Sequence, residues 1–315
     1  MKTLLSIGLI AFIFSCQQDN GLNYLDSKNL NEPSLFLPNL VTLEDATEFS
    51  MAIHPNSNLI FFTRRRGDEK QRIYETKFEK RQWTKPVIAS FSTDRDESPK
   101  FSADGNTLYF GSARPLDNRP NLGNFDMNIW KTDFVNKKWT APTPLPAIIN
   151  KVQAKGEEWP SSNMSDFVTV DDNTFYTGTM QPGSKGLDLY TTTFNGSTFS
   201  ELKKLPETIN LEDKWEYAPV LSPDGNYLLF QVYNRADAEG GDDIFISKKG
   251  SNGNWLPSVN LGKIVNTNMN ECPIAFSPNG KYFFFTRDKK DNPKDYDGIS
   301  SIYVINTSAL NLDLL

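Results

Sequence analysis

Apolar residues recur along the chain in short runs that alternate with turn residues, and no long stretch places them at helical spacing. The turns are marked by pairs such as Asp-Gly and Asn-Gly, as in PDGN, PNGK and ADGN. These pairs are favoured in tight hairpins because their residues tolerate positive φ. The pattern predicts a chain of the all-β class.

A strand–turn–strand unit occurs five times, at a period of roughly fifty residues. Each copy continues into a third strand and then into a fourth segment that is often opened by Trp. Four strands per unit are typical of a β-propeller blade. Because one such sheet cannot bury both of its faces, neighbouring blades must stack into a ring. The copies begin at Glu48, Glu97, Glu158, Glu216 and Glu271.

We expect a single β-propeller of five four-stranded blades over residues 33–315, with a six-bladed ring as the alternative. The fifth copy lacks an obvious fourth strand, whereas residues 34–41 (SLFLPNLV) resemble one and precede the first copy. The N-terminal segment is therefore expected to complete the last blade and close the ring. The tail at residues 309–315 (ALNLDLL) is the alternative closing strand.

The segment NWLPSVNLGKIVNTNMNECPIAFSPNGKYFFFT, which starts at Asn254, is similar to the repeat of TolB-like propellers. That repeat contains W-x-x-P-x-N-L-G, I-N-T and S-P-D-G motifs, and the resemblance covers nearly all of residues 48–307. The third copy departs from it most. The resemblance implies a propeller and, by analogy with related envelope proteins, an interaction module. It does not name a ligand, because propellers host many activities.

Residues 1–15 are predicted to be a signal peptide, since Lys2 precedes an apolar run of about eleven residues, too short to span a bilayer. Residues 13–16 (IFSC) resemble a bacterial lipobox, with Phe14 where a small residue is commoner. We expect cleavage before Cys16, lipidation of Cys16 and a flexible tether over residues 16–32. By the same resemblance, Gln17 points to the outer membrane. An ordinary signal peptide with a coincidental cysteine is the alternative.

Composition narrows the classes of partner. The net charge is −6, and no basic run is interleaved with aromatic residues, so a nucleic-acid partner is not expected. Cys272 is the only cysteine besides Cys16, and no His lies near it in sequence. It is expected to be a small buried hydrophobic residue rather than a nucleophile.

Two sets of charged residues stand at matching places in the repeats and are expected to face one mouth of the central channel. Each Glu could tie adjacent blades together through loop amides or an Arg. Alternatively, the two sets form a mixed-charge pocket for a small or peptide ligand, with Arg suited to carboxylates. The acids are Glu48, Glu97, Glu158, Glu216 and Glu271, and the bases are Arg64, Arg114, Arg235 and Arg287.

The sequence contains little of what known catalytic motifs or metal sites would require. The single His, His54, lies in a hairpin turn and is expected to be exposed. The G-x-S-x-G motif of serine hydrolases does not occur in the sequence. A zinc site would need several His or Cys, which the sequence lacks. No metal or cofactor is expected, since Asp291, Asp295 and Asp297 lack the full spacing of a calcium loop. Short acids are expected to cap the turns before the third strands, at Asp126, Asp188, Asp243 and Asp297.

We therefore expect a non-enzymatic lipoprotein of the cell envelope, held to the membrane through its lipid alone. Its rim or central channel would bind a protein partner or a cell-wall or glycan component. The alternative is a glycan-active enzyme, because five-bladed propellers include glycosidases with carboxylates in the central pocket. The candidates for that role are Glu97, Glu158, Glu216 and Asp213.

Overall fold

The computed structural model describes residues 20–117, 127–151, 166–181, 184–289, 299–310 and 312. These residues form five antiparallel sheets, arranged as the blades of a five-bladed β-propeller. The prediction of an all-β, five-bladed ring is confirmed, and the six-bladed alternative is wrong. Within the described residues, no helix is long and apolar enough to cross a membrane.

Each blade starts with an inner strand beside the channel and continues outward. Blade 5 includes the first strand of the chain, β1 (Ser34–Leu35). Blade 1 contains β2 (Thr47–Ile53), β3 (Leu59–Arg65), β4 (Arg72–Glu79), β5 (Gln82–Trp83) and β6 (Val87–Ile88). Blade 2 contains β7 (Asp96–Phe101), β8 (Thr107–Ser112), β9 (Asn128–Val135), β10 (Lys138–Trp139) and β11 (Thr143–Pro144).

The remaining blades follow the same order. Blade 3 contains β12 (Phe167–Val168), β13 (Thr174–Thr179), β14 (Asp188–Thr193) and β15 (Lys203–Lys204). Blade 4 contains β16 (Trp215–Leu221), β17 (Tyr227–Tyr233), β18 (Asp242–Lys248) and β19 (Val259–Asn260). Blade 5 contains β20 (Glu271–Phe276), β21 (Tyr282–Asp288) and β22 (Ser300–Asn306). Two 3-10 helices, Asn23–Ser27 and Thr307–Leu310, flank the propeller.

The N-terminal segment closes the ring, as predicted. β1 pairs antiparallel with β22, with Ser34 opposite Val304. The ring of Phe36 is fully buried and meets that of Phe284 edge-on at 5.0 Å. The described part of the tail forms the second 3-10 helix and adds no strand. The first and last elements of the chain therefore share one sheet.

Residues 20–32 differ from the expected flexible tether. Leu22, Leu25 and Leu30 are at most 4% exposed and belong to the same hydrophobic cluster as Phe36. The indole N–H of Trp83 donates to the carbonyl of Gly21 at 3.1 Å. Three buried leucines remove enough apolar surface from water to hold this segment on blades 1 and 5. The rest of the expected tether, including Cys16, lies outside the described residues.

The inner strands carry a bulge that turns successive side chains toward different surroundings. In blades 1, 2 and 4 the bulge residues are Ser50, Ser98 and Ala218, with φ of 59°, 54° and 51°. A bulge adds one residue to one strand and re-aims the side chains on either side of it. It therefore decides which acidic side chain enters the blade and which faces the channel.

The I-N motif of the repeat holds blades 2 and 3 to the connections that leave them. Asn210 accepts a hydrogen bond from the N–H of Leu189 at 2.8 Å and donates to the carbonyls of Leu189 and Leu205 at 2.9 Å. Asn150 makes the same three bonds one blade earlier. Because all three residues of the Asn210 contact are buried, the motif is explained by structure alone.

Candidate functional site

The ring has two faces. The loop face carries the start of each inner strand, and the hairpin face carries the turns that follow the inner strands. On the loop face, the predicted pairs form within blades 1 and 5. Arg64 donates to Glu48 at 2.7 Å, and Arg287 donates to Glu271 at 2.9 Å. Both glutamates are fully buried.

These arginines also fasten the chain that enters their blades. Arg64 donates to the carbonyl of Val41 at 2.7 Å, and Arg287 donates to that of Val265 at 2.6 Å. Burial raises the pKa of Glu48, and the charge of Arg64 offsets part of that rise. The groups of these pairs are occupied within the fold, which favours the structural interpretation. Their role in ligand binding stays a prediction.

Blade 2 differs from the alignment by one residue. Arg114 forms a forked ion pair with Asp96, at 2.5 and 3.0 Å, and not with the expected Glu97. Asp96 lies opposite Ser112 two residues before the bulge at Ser98, as Glu48 lies two residues before the bulge in blade 1. Asp96 is therefore the structural equivalent of Glu48.

Glu97 occupies a different environment from the other acids of the set. It accepts a hydrogen bond from the side chain of Gln71 at 2.8 Å, and the guanidinium of Arg95 lies 3.6 Å away. Its charge also acts on Asp166, on the inner strand side of blade 3. Glu97 thus stands beside the channel rather than inside a blade.

Blade 4 breaks the pairing pattern. Glu216 is fully buried, but Val232 lies opposite it where blades 1 and 5 have Arg. Arg235 pairs instead with Asp237 at 2.8 Å and stacks over Phe245 at 4.1 Å. Burial raises the pKa of Glu216 to about 8, and the charge of Asp188 adds to the rise.

The remaining acids that the sequence singles out do not belong to the loop-face pairs. Asp243 accepts from the backbone N–H groups of Glu239 and Gly240 at 2.7 and 3.0 Å, so it caps a turn as expected. Asp188 accepts from Lys204 at 2.8 Å, and Asp213 pairs with Lys185 at 3.1 Å. Glu158, Asp126, Asp291, Asp295 and Asp297 lie outside the described residues. In the described part of the chain, no three His, Cys, Asp or Glu side chains are grouped to hold a metal ion.

A charged pair crosses the interior of the channel between blades 2, 3 and 5. Lys100 donates to the carbonyl of Ile274 at 2.8 Å and lies 3.4 Å from Asp166. Both side chains are buried, and burial raises the pKa of Asp166. Burial likewise raises the pKa of Cys272, which keeps its thiol protonated and unreactive.

Blade 4 and blade 5 place a second polar group on the loop face. The hydroxyl of Tyr217 donates to Asp242 at 2.7 Å, and the amide of Asn270 donates to Asp288 at 3.0 Å. Burial raises the pKa of Asp242 to about 6, and the charge of Asp288 contributes. The rings of Trp215 and Tyr233 lie beside this group, 6.4 Å apart, and are 38% and 40% exposed.

The hairpin face contains a cavity of about 280 Å³ to which all five inner strands contribute. Its walls are mainly apolar, with Met51, Ile53, Phe101, Val220 and Ile274 among them. Lys100 also lines it, but the ammonium group is held by Ile274 and Asp166. The mouth is formed by one residue from each hairpin, which we call the mouth ring: Pro55, Ala103, Val170, Pro223 and Pro278.

His54 lies next to the mouth ring and is less exposed than expected. Its ring meets that of Phe101 edge-on at 5.1 Å and packs on the turn at Gly105 in the neighbouring blade. Burial lowers the pKa of His54, so the ring is neutral at pH 7. It is a contact between blades, and its Nδ1 accepts a hydrogen bond from the N–H of Asn56 at 3.2 Å.

Comparisons with known proteins identify the fold but no family. No protein-family model matches the chain, and no curated protein matches it. A glycoside hydrolase structure aligns at 9% identity over 90% of this chain and 94% of its own, with a TM-score of 0.55. TolB from Acinetobacter baumannii aligns at 16% identity over 82% of this chain, with a TM-score of 0.47.

A catalytic domain of a GH62 alpha-L-arabinofuranosidase from Coprinopsis cinerea aligns at 11% identity over 88% of this chain and 98% of its own, with a TM-score of 0.47. The chain spans only 54% of the TolB structure, about half its length. At such identities, the likeness is one of fold.

Proposed function

We propose that this protein is a non-enzymatic binding protein of the cell envelope, and that a segment of a protein partner enters its channel at the hairpin face. The observation that carries the proposal is the apolar cavity of about 280 Å³ to which every blade contributes. Ligand sites are typically concave and mostly apolar, with few polar groups to fix orientation. A pocket of this size accommodates one or two apolar side chains rather than a folded surface.

The lining suits binding better than catalysis. Among the described residues that line the cavity, Lys100 is the one ionisable residue, and its ammonium group is engaged by Ile274 and Asp166. A general acid or base must have a free, tuned proton site within reach of the ligand. The lining residues therefore supply shape and apolar contact.

A selection from a random peptide library tests this proposal without a known partner. Peptides selected on the folded protein should lose binding to Ala103→Trp, because the bulky ring obstructs the mouth from an exposed position. They should retain binding to Ala103→Ser, the matched control at the same site. Equal thermal unfolding of both variants would show that the fold is intact. Selected peptides that bind Ala103→Trp as tightly as the unchanged protein would exclude the cavity as the site.

The envelope location rests on the sequence of residues 1–17, which resembles a lipoprotein signal. The lipid on Cys16 would tether the propeller to the outer membrane. Expression with radiolabelled palmitate is the direct test. Label should enter the unchanged protein and be lost from Cys16→Ser, whereas Cys272→Ser should keep it. Label that persists in Cys16→Ser would contradict the anchor.

A glycan ligand on the loop face is the second candidate function. The exposed rings of Trp215 and Tyr233 would stack on a sugar, beside the buried polar group that contains Asp242. Trp215→Ala should then abolish binding to a polysaccharide in an affinity gel, while Phe134→Ala, an exposed aromatic on an outer strand, should not. Reducing sugar that is released by the unchanged protein and lost in Asp242→Asn would instead favour the glycan-active enzyme.

A further inference from the structure

The mouth ring is bordered by acidic side chains on one side only. The next residue in each hairpin is an aspartate in blades 2, 3 and 4, at Asp104, Asp171 and Asp224. In blades 1 and 5 the same position is a neutral asparagine, Asn56 and Asn279. All five of these side chains are exposed. Negative charge therefore lies over three contiguous blades and not over the other two.

These carboxylates stay ionised because their own turns bind them. Hydrogen bonds from Ser102 and the N–H of Asn106 lower the pKa of Asp104. Partial burial favours the neutral form of Asp171, but hydrogen bonds from the N–H groups of Thr174 and Asn173 outweigh it and lower the pKa of this carboxyl. The pKa of Asp224 is lowered in the same way, with Ser222 and Asn226 as donors. A group held as an anion by backbone amides presents a fixed charge at the mouth.

A second acid adds to this charge between blades 2 and 3. Asp172 accepts a hydrogen bond from the backbone N–H of Ala103 in the mouth ring, at 2.9 Å. Burial and the charges of Asp172 and Asp104 raise the pKa of Tyr109, as does Asp133, whose carboxylate is itself paired with Lys131 at 2.9 Å. The anionic border is thus densest where blades 2 and 3 meet.

We propose that the segment bound at the mouth ring carries an apolar side chain next to a lysine or arginine. The apolar side chain enters the cavity, and the cation lies over blades 2 to 4. This inference rests on the proposed function, because it assigns a charge to the ligand of the same cavity. Opposed charges across an interface guide encounter and fix orientation more than they add affinity. The orientation of the bound segment is therefore the property that this border controls.

The experiment uses peptides selected on the unchanged protein, resynthesised with lysine or glutamine at the cationic position. The test variant is Asp104→Asn/Asp171→Asn/Asp224→Asn, in which asparagine can still accept the turn hydrogen bonds. The charge-matched control is Glu207→Gln/Glu212→Gln/Asp213→Asn, which removes three charges from exposed positions elsewhere. Binding is measured by fluorescence anisotropy at low and at high salt.

We expect the lysine peptide to bind the test variant about 10-fold more weakly than the unchanged protein at low salt, with the difference shrinking at high salt. The glutamine peptide should bind both proteins equally, and the control should behave like the unchanged protein. Peptides that are blocked by Ala103→Trp but show no preference for a cation would overturn this inference and leave the cavity proposal standing. Peptides that ignore Ala103→Trp would refute both.

Discussion

Replacing Glu216 with glutamine removes a titratable group that the fold holds neutral at pH 7. The carboxyl group is fully buried between blades 3 and 4 and accepts one hydrogen bond, from the N–H of Leu211 at 3.2 Å. Its second oxygen has no hydrogen-bond partner in the described part of the chain. Burial raises its pKa from 4.5 to about 8, because Lys204 and Arg235 offset only part of the cost and Val232 stands opposite where blade 1 has Arg64.

The sign and size of the effect follow from proton linkage. An unfolded chain releases this proton near pH 4.5, whereas the folded protein retains it to about pH 8. Since the folded state binds more protons in this window, its stability falls as pH rises, by about 1.4 kcal/mol per pH unit. The stabilising contribution is fully present below pH 4.5 and is lost by about pH 8. The loss amounts to about 5 kcal/mol at most.

Glutamine has the same shape and no proton to release, so Glu216→Gln should escape this loss. We expect the variant to gain about 3.5 kcal/mol on the unchanged protein between pH 5 and pH 8, because the cost of its own unpaired amide is the same at both pH values and cancels. Urea denaturation at four pH values across this range measures the difference directly. A difference in unfolding free energy that stays constant with pH would refute the reasoning.

The contrast variant is Glu48→Gln in blade 1. It should be destabilised by about 3 kcal/mol at pH 7, because it leaves the buried guanidinium of Arg64 without its partner. The two changes are chemically identical and occupy equivalent strand positions. They differ in whether an arginine stands opposite, which is the property under test. Destabilisation of both variants alike would mean that Glu216 is also ionised and paired.

Three further predictions concern the residues that hold the blades, and urea denaturation measures each of them. Asp96→Asn should lower the free energy of unfolding by about 3 kcal/mol, because it leaves Arg114 unpaired. Glu97→Gln should lower it by less than about 1 kcal/mol. The reverse order would contradict the register of blade 2. Asn210→Ala should cost about 2 to 3 kcal/mol through three lost buried hydrogen bonds. Phe36→Ala should cost about 3 to 5 kcal/mol and open the ring first at blade 5.

The fold could be predicted from the sequence because its signals are local. Hairpin turns require residues that accept positive φ, and the described structure has Gly105, Gly225 and Gly280 in that conformation. The apolar strands on either side of each turn then repeat at a fixed period. The closing strand was predictable for a different reason, since the last copy lacked a fourth strand and residues 34–41 could supply one.

The charged pairs are harder to predict, because in blade 2 the glutamate of the repeat is one residue out of step with the turn. Glu48 stands six residues before His54, and Glu216 stands six before Ser222. In blade 2 the residue six before Ser102 is Asp96, and Glu97 is only five before it. Counting back from the turn would have found the correct acid, because the bulge lies at a constant distance from the hairpin.

The polar group around Asp242 could not have been found in this way. Its partner Tyr217 lies 25 residues away, and Asn270, whose side-chain oxygen accepts from the N–H of Asp242, lies 28 residues away in the next blade. Such contacts depend on how two neighbouring blades pack together, and the sequence repeat carries no information about this packing. The same holds for residues 20–32, whose leucines are isolated among polar residues and become buried only against two finished blades.

The residue type at the mouth ring varies less from blade to blade than the charged pairs of the loop face do. Acid and arginine stand directly opposite each other in blades 1 and 5 but not in blades 2 and 4. The mouth ring, by contrast, is apolar in every blade, although its members are exposed or half-exposed. Proline is favoured at that place in a turn, which accounts for three of the five residues. Val170 has a different reason, since it is half-buried and packs against the hydrophobic cluster that blades 3 and 4 share. Whatever the reason at each position, the outcome is an apolar rim in every blade, and such a rim is what the proposed binding of an apolar side chain at the hairpin face would need.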